Sequence, residues 1–122
     1  MRIESWTPER HRERLAECRA VLDIKGQDFR ARHKPASKAI DAIASGVPLA
    51  MNADSSSTAY LRGLGFEIAS PQDTDRWLSR PYWEQTRAFG ARLRKQMLLT
   101  TVADRMAQIL SDVLNTREAQ CA

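Results

Sequence analysis

The segment Lys34–Met51, KPASKAIDAIASGVPLAM, constrains the fold more than any other stretch, because it runs a helix with one polar face directly into a short buried strand. Pro35 suits a first helical position, where its missing N–H would be unpaired anyway and its φ is already helical. The helix is therefore predicted from about residue 35. Ile40, Ile43 and Ala44 recur at helical spacing and form the face that buries, whereas Lys34, Lys38, Asp41 and Ser45 fall on the opposite stripe. Gly46 stands where a C′ glycine belongs, and Pro48 permits extended chain but no further helix. Val47, Leu49 and Met51 then read as strand. The unpaired N–H groups at the helix start, with Lys34, Ser37 and Lys38 around them, make a positive, donor-rich end suited to a phosphate or carboxylate.

The flanking sequence places this unit in a larger pattern. Thr7-Pro8-Glu9 combines an N-cap, a first-turn proline and a favourable acid, which predicts a helix from Pro8 to about Glu17. Cys18 to Lys25 contains Val21, Leu22 and Ile24 in a short run ended by Gly26, the pattern of a parallel strand covered on both faces. A polar loop, Gly26 to His33, follows, and the Lys34 helix and Val47 strand complete a right-handed βαβ unit. Asn52 to Ser57 is a turn and cap cluster leading to a short helix, Ser57 to Leu61 or Arg62, ended by Gly63 or Gly65. Phe66 to Ala69 reads as a third strand, and Ser70-Pro71 with Asp73 opens another helix anchored by Trp77 and Leu78. From Pro81 the chain reads as helical nearly to its end. Tyr82, Phe89 and Leu93 share one stripe, a break is expected near Leu99 to Thr101, and Val102, Met106, Ile109 and Val113 form the apolar face of the last helix.

These elements predict one domain over residues 1–122, of the α/β class. Its core is a three-stranded parallel sheet flanked by helices, about half of a Rossmann-like doubly wound domain, with a long helical C-terminal tail. The open edge of the first strand is expected to lie beside a missing half or a second copy.

Composition narrows the function classes. With 122 residues, 43% of them hydrophobic, the chain suffices for a modest core. The net charge is +4, and positive side chains crowd the start of the chain in Arg2, Arg10, Arg12, Arg14 and Arg19, but Glu4, Glu9, Glu13 and Glu17 interleave with these. That pattern describes a solvated, paired helix face and argues against nucleic acid as the partner. Cys18 and Cys121 have neither disulfide-framework nor metal-ligand spacing, and no metal site or cofactor is expected. No apolar run approaches the roughly 18 residues of a membrane span, so the expected location is cytoplasmic.

The helix ending Asp41-Ala42-Ile43-Ala44-Ser45-Gly46-Val47-Pro48-Leu49 resembles the donor-binding half of GT-B fold glycosyltransferases of group 1 type, which commonly read Glu-Ala-x-Ala-x-Gly-x-Pro-Val before a strand. CRAVLDIK before it, and GFEIASPQD after the Ser-rich turn, follow the family's order of features, so the resemblance spans roughly residues 6 to 115. It implies a partial C-terminal, nucleotide-sugar-binding domain whose partners are a nucleoside-diphosphate sugar and an acceptor-binding domain. It also implies donor contacts by His33, Lys34, Ser37, Lys38 and Asp41, with Ser55 and Ser56 as candidate phosphate contacts. Asp41 matches the second of two acidic positions eight residues apart in the family. The first is His33 here, and an imidazole cannot reproduce a carboxylate that accepts two sugar hydroxyls. In the family the preceding domain often supplies the base, so the isolated chain is expected to bind a donor without turning it over. Two further classes compete: an assembly module using the sheet edge or the Trp77, Tyr82 and Trp83 cluster, and a nucleic-acid binder using the basic loop Lys25 to Lys38.

Overall fold

The computed structural model describes residues 3–121; Arg2, one of the early arginines, lies outside the described residues. The chain forms two compact units, Met1–Ala91 and Arg92–Ala122.

The first unit opens with helix α1 (Pro8–Glu17), where Thr7 Oγ1 accepts from Arg10 N at 3.2 Å as the N-cap. Strand β1 (Val21–Asp23) pairs in parallel with β2 (Leu49–Met51), with Val21 opposite Leu49 and Asp23 opposite Met51. Helices α2 (Phe29–Arg32) and α3 (Ser37–Ala44) lie between the strands in sequence, and α4 (Ser56–Gly63), α5 (Thr74–Trp77) and α6 (Arg80–Gln96) follow β2. The expected loop from Gly26 to His33 thus contains a helical turn. Ile43, Leu49, Met51, Leu61, Ile68, Tyr82 and Phe89 make the core.

Two local features explain why α3 delivers the chain into β2. Gly46, at φ 75°, donates its N–H to the Ile43 carbonyl while Val47 donates to Ala42, which is the paired capping expected of a left-handed C′ glycine. On the far side of α3, a Cβ added to Gly90 of α6 would stand 2.0 Å from the Ile43 carbonyl oxygen, so the two helix backbones touch where only glycine fits.

Several expectations are corrected. Among the described residues the sheet has two strands, not three, and most of the chain is helical. The Phe66 to Ala69 segment meets β2 at a single parallel bridge, Ala50 to Ala69, with Met51 N donating to Ala69 O at 3.0 Å. In a longer ladder the Ala69 N–H would address the Leu49 carbonyl directly. Instead Tyr82 Oη accepts from Ala69 N at 3.0 Å and donates to Leu49 O at 2.7 Å. The inserted hydroxyl satisfies both groups, and Pro71, which has no N–H, offers nothing to the Met51 carbonyl at the next rung.

The first strand is also shorter than Cys18 to Lys25. Cys18 is instead the C-cap of α1, its N–H donating to Arg14 O, and Lys25 N donates to the Asn52 side chain at 2.7 Å rather than to a strand carbonyl. Leu22 and Ile24 are 52% and 62% exposed, so one face of β1 is open where both were expected to be covered. Helix α3 begins at Ser37 and not near Pro35, because the Lys34 carbonyl accepts from Ser56 Oγ at 2.9 Å instead of starting a helical ladder. Ser70-Pro71 forms a turn, and Asp73 Oδ1 caps α5 by accepting from Arg76 N. Trp77 is partly buried, whereas Leu78 is 41% exposed.

The second unit is dominated by α7 (Leu99–Cys121), none of whose residues is buried. The break before it falls at Met97–Leu98, and the Thr101 hydroxyl donates back to Lys95 O rather than capping a new helix. The Tyr82, Phe89 and Leu93 stripe of α6 is buried as expected. Among the described residues, no helix is long and apolar enough to cross a membrane.

Candidate functional site

The loops that follow β1 and β2 define one rim of the first unit, at the carboxyl ends of the strands. There a cleft of about 440 Å³ is lined by His33, Lys34, Pro35, Ala36, Ser37, Ile40, Ser56 and Tyr60. The N-terminal turns of two eight-residue helices, α3 and α4, meet in it, and the Ser56–Lys34 hydrogen bond ties them together. A helix start presents unpaired N–H donors and the positive end of its dipole, so two of them on one cleft favour an anion.

His33 is oriented from below. Its ring stacks on Phe29 at 4.0 Å, and Nδ1 lies 2.7 Å from the Phe29 carbonyl. A carbonyl only accepts, so Nδ1 carries the proton. Nε2 is then a lone-pair acceptor in the neutral ring and a donor in the charged one. That pair of states suits either a sugar hydroxyl or a phosphate oxygen.

The expected site residues divide into two groups. His33, Lys34, Ser37 and Ser56 are brought together in the cleft. Lys38 and Asp41 are exposed on α3 but line no part of it. At about 100° per residue, the stripe of Lys38, Asp41 and Ser45 is rotated away from the edge that carries Ser37 and Ile40. Asp41 instead faces α1, with its Oδ2 3.9 Å from His11 Nε2. Ser55 is buried and fully occupied: its Oγ accepts from Thr58 N at 3.2 Å and lies 2.9 Å from Thr58 Oγ1. It is a helix cap and offers no phosphate contact.

Tyr60 was not singled out by sequence, yet it lines the cleft and is 47% exposed. The signal was its position one turn after Ser56 on α4, legible only once α4 is known to start at Ser56. The basic loop Lys25 to Lys38 is not a free cationic strip. Lys25 Nζ sits 2.7 Å from Asp23 in a largely buried pair, and Arg32 Nη2 is 2.8 Å from Asp54. Nor do Trp77, Tyr82 and Trp83 form a surface cluster, since Tyr82 is buried.

A larger cleft, about 520 Å³, opens at the amino ends of the strands between Arg19, Gly46, Trp77, Arg80, Trp83 and Arg87. Two of its cations are already engaged, Arg80 by Glu84 at 2.9 Å and Arg87 over the Trp83 ring at 4.7 Å. It also lacks the converging helix starts of the smaller cleft, which is therefore the better candidate. Among the described residues, no group of three His, Cys, Asp or Glu side chains could hold a metal ion.

No family model matches the chain, and no curated protein or solved structure matches it either.

Proposed function

We propose that the cleft at the carboxyl ends of β1 and β2 binds the diphosphate of a nucleoside-diphosphate sugar, so that the chain serves as the donor-binding part of a glycosyltransferase. One observation carries this reading: His33, Lys34, Ser37 and Ser56 line a single cleft at the meeting of two helix starts, where ligands of open α/β sheets bind. Lys34 supplies a mobile cation, the helix starts supply N–H donors, and the exposed ring of Tyr60 offers a face for the base or sugar. When the glycosidic bond breaks, negative charge grows on the departing diphosphate, and these groups stabilise that charge. A base and an acceptor site belong to another domain in this scheme.

The test is an NMR titration with a panel of uridine, guanosine and adenosine diphosphate sugars. Shifts confined to residues 33–40 and 56–60, weakened about tenfold by Lys34→Ala, support the reading. A panel that moves none of these resonances refutes it.

A second reading, a non-catalytic assembly module, is favoured by the open face of β1. Leu22, on the strand, and Ile24, just after it, are exposed, and the strand's outer edge has no neighbour among the described residues. Loss of self-association or partner binding in Leu22→Lys, with the sugar panel silent, would select it.

A further inference from the structure

Helix α7 carries Leu99, Val102, Met106, Ile109 and Val113 at alternating steps of three and four residues, which are the a and d positions of a heptad repeat. Leu110 and Leu114 widen the stripe. Each of these seven side chains is at least 45% exposed. At about 1.5 Å per residue the stripe from Leu99 to Leu114 is about 24 Å long, just over two heptads of the 23-residue helix, and the polar Thr116 and Gln120 hold the next d and a positions. An apolar stripe of that length is an interface waiting for its other side.

We propose that α7 pairs with α7 of a second copy of this chain in a two-helix coiled coil. The charges beside the stripe select this occupant. Arg105 and Asp112 fall at g positions, and Leu110 and Arg117 at e positions. In an antiparallel pair, Val102 faces Val113 of the second copy, Met106 faces Ile109, and Arg105 lies beside Asp112, each twice by symmetry. In a parallel pair each apolar residue meets its own counterpart, and Asp112 lies beside Arg117. Both arrangements set acid against base and neither opposes like charges, so the surface complements itself. A membrane surface fits worse: α7 carries Asp104, Asp112 and Glu118 against Arg105 and Arg117, without the basic polar face that anionic lipid attracts. The pairing is independent of the donor cleft and of the β1 edge.

Sedimentation equilibrium of the full chain from low to high micromolar concentration tests this directly. A monomer–dimer equilibrium is expected, and Ile109→Lys is expected to abolish it. Ile109 is exposed, so far-UV circular dichroism should show the first unit's helices unchanged. Asp112→Arg should weaken the dimer on the order of tenfold by replacing two attractions with two repulsions. Recovery on adding Arg105→Asp identifies the antiparallel coil, and recovery on adding Arg117→Asp the parallel one. A chain that stays monomeric, a dimer indifferent to Ile109→Lys, or an Asp112→Arg defect rescued by neither partner overturns the proposal. So does a dimer lost in Leu22→Lys alone, which would assign association to β1.

Discussion

The Tyr82 hydroxyl donates to the Leu49 carbonyl at 2.7 Å and accepts from Ala69 N at 3.0 Å, so one phenol joins α6 to the central strand and to the segment beside it. Leu49 and Ala69 are fully buried, and the phenol is the partner that keeps their polar groups from being stranded. Tyr82→Phe preserves the ring's packing against Phe66 but strands a carbonyl and an N–H. The expected loss is about 2 kcal/mol of unfolding free energy in urea denaturation, with the m value unchanged.

The same phenol makes stability fall in alkali. Burial pushes its ionisation above the ordinary tyrosine value of about 10, while the Ala69 N–H and the Arg76 guanidinium, 5.3 Å from the ring centroid, pull the other way. The folded state therefore holds the proton more tightly than the unfolded chain does. Its contribution is complete below about pH 10 and is lost as pH rises through the higher folded value. Thermal melts from pH 8 to 11 should steepen their decline near the top of that range. In Tyr82→Phe that decline should be shallower.

Gly90 sets the distance between α6 and α3. With a Cβ only 2.0 Å from the Ile43 carbonyl oxygen, Gly90→Ala must push the helices apart, because the obstructing atom is backbone and no rotamer change relieves it. A gain in helix propensity of about 1 kcal/mol does not offset an overpacked core contact. A net loss of roughly 2 kcal/mol is expected, read as a lowered melting temperature with retained helicity.

Where the sequence was legible, local chemistry decided the outcome. Thr7-Pro8 starts α1 as predicted, and Gly46 ends α3 with both of its expected hydrogen bonds, because caps depend on residues within one turn. The third strand's shortness has one local cause and one non-local one: Pro71 has no N–H for the Met51 carbonyl at the next rung, and Tyr82, 13 residues beyond Ala69, takes the Ala69 N–H and the Leu49 carbonyl. The covered β1 strand failed because periodicity reports which residues are apolar and not whether another layer arrives to bury them. The cleft was half legible. The polar stripe of α3 was recognised, but its division into a Ser37 edge and a Lys38–Asp41 edge depends on where α1 and α4 pack.

Two neighbouring serines illustrate that dependence. Ser55 caps α4 from a buried position, whereas Ser56 is on the cleft and holds the Lys34 carbonyl. Ser55→Ala should cost about 1 kcal/mol of stability and leave donor affinity unaltered. Ser56→Ala should do the reverse, sparing the melting temperature within about 0.5 kcal/mol of stability while reducing affinity severalfold. Paired calorimetry and titration of both variants would detect an exchange of these roles.

A lysine just before α3 and one in its first turn make the sharpest comparison for function. Lys34 and Lys38 lie four residues apart, bear the same charge and are both exposed, yet only Lys34 lines the cleft. Lys34→Ala should weaken binding of a nucleoside diphosphate about tenfold, the worth of one charge-assisted contact. Lys38→Ala and Asp41→Asn should change it less than twofold, the residue of a screened long-range field. Raising salt from 50 to 500 mM should shrink the small effects first, because a contact shielded within the cleft is screened less than a charge across open water. Equal losses for Lys34→Ala and Lys38→Ala would mean that the ligand tracks the helix face rather than entering the cleft.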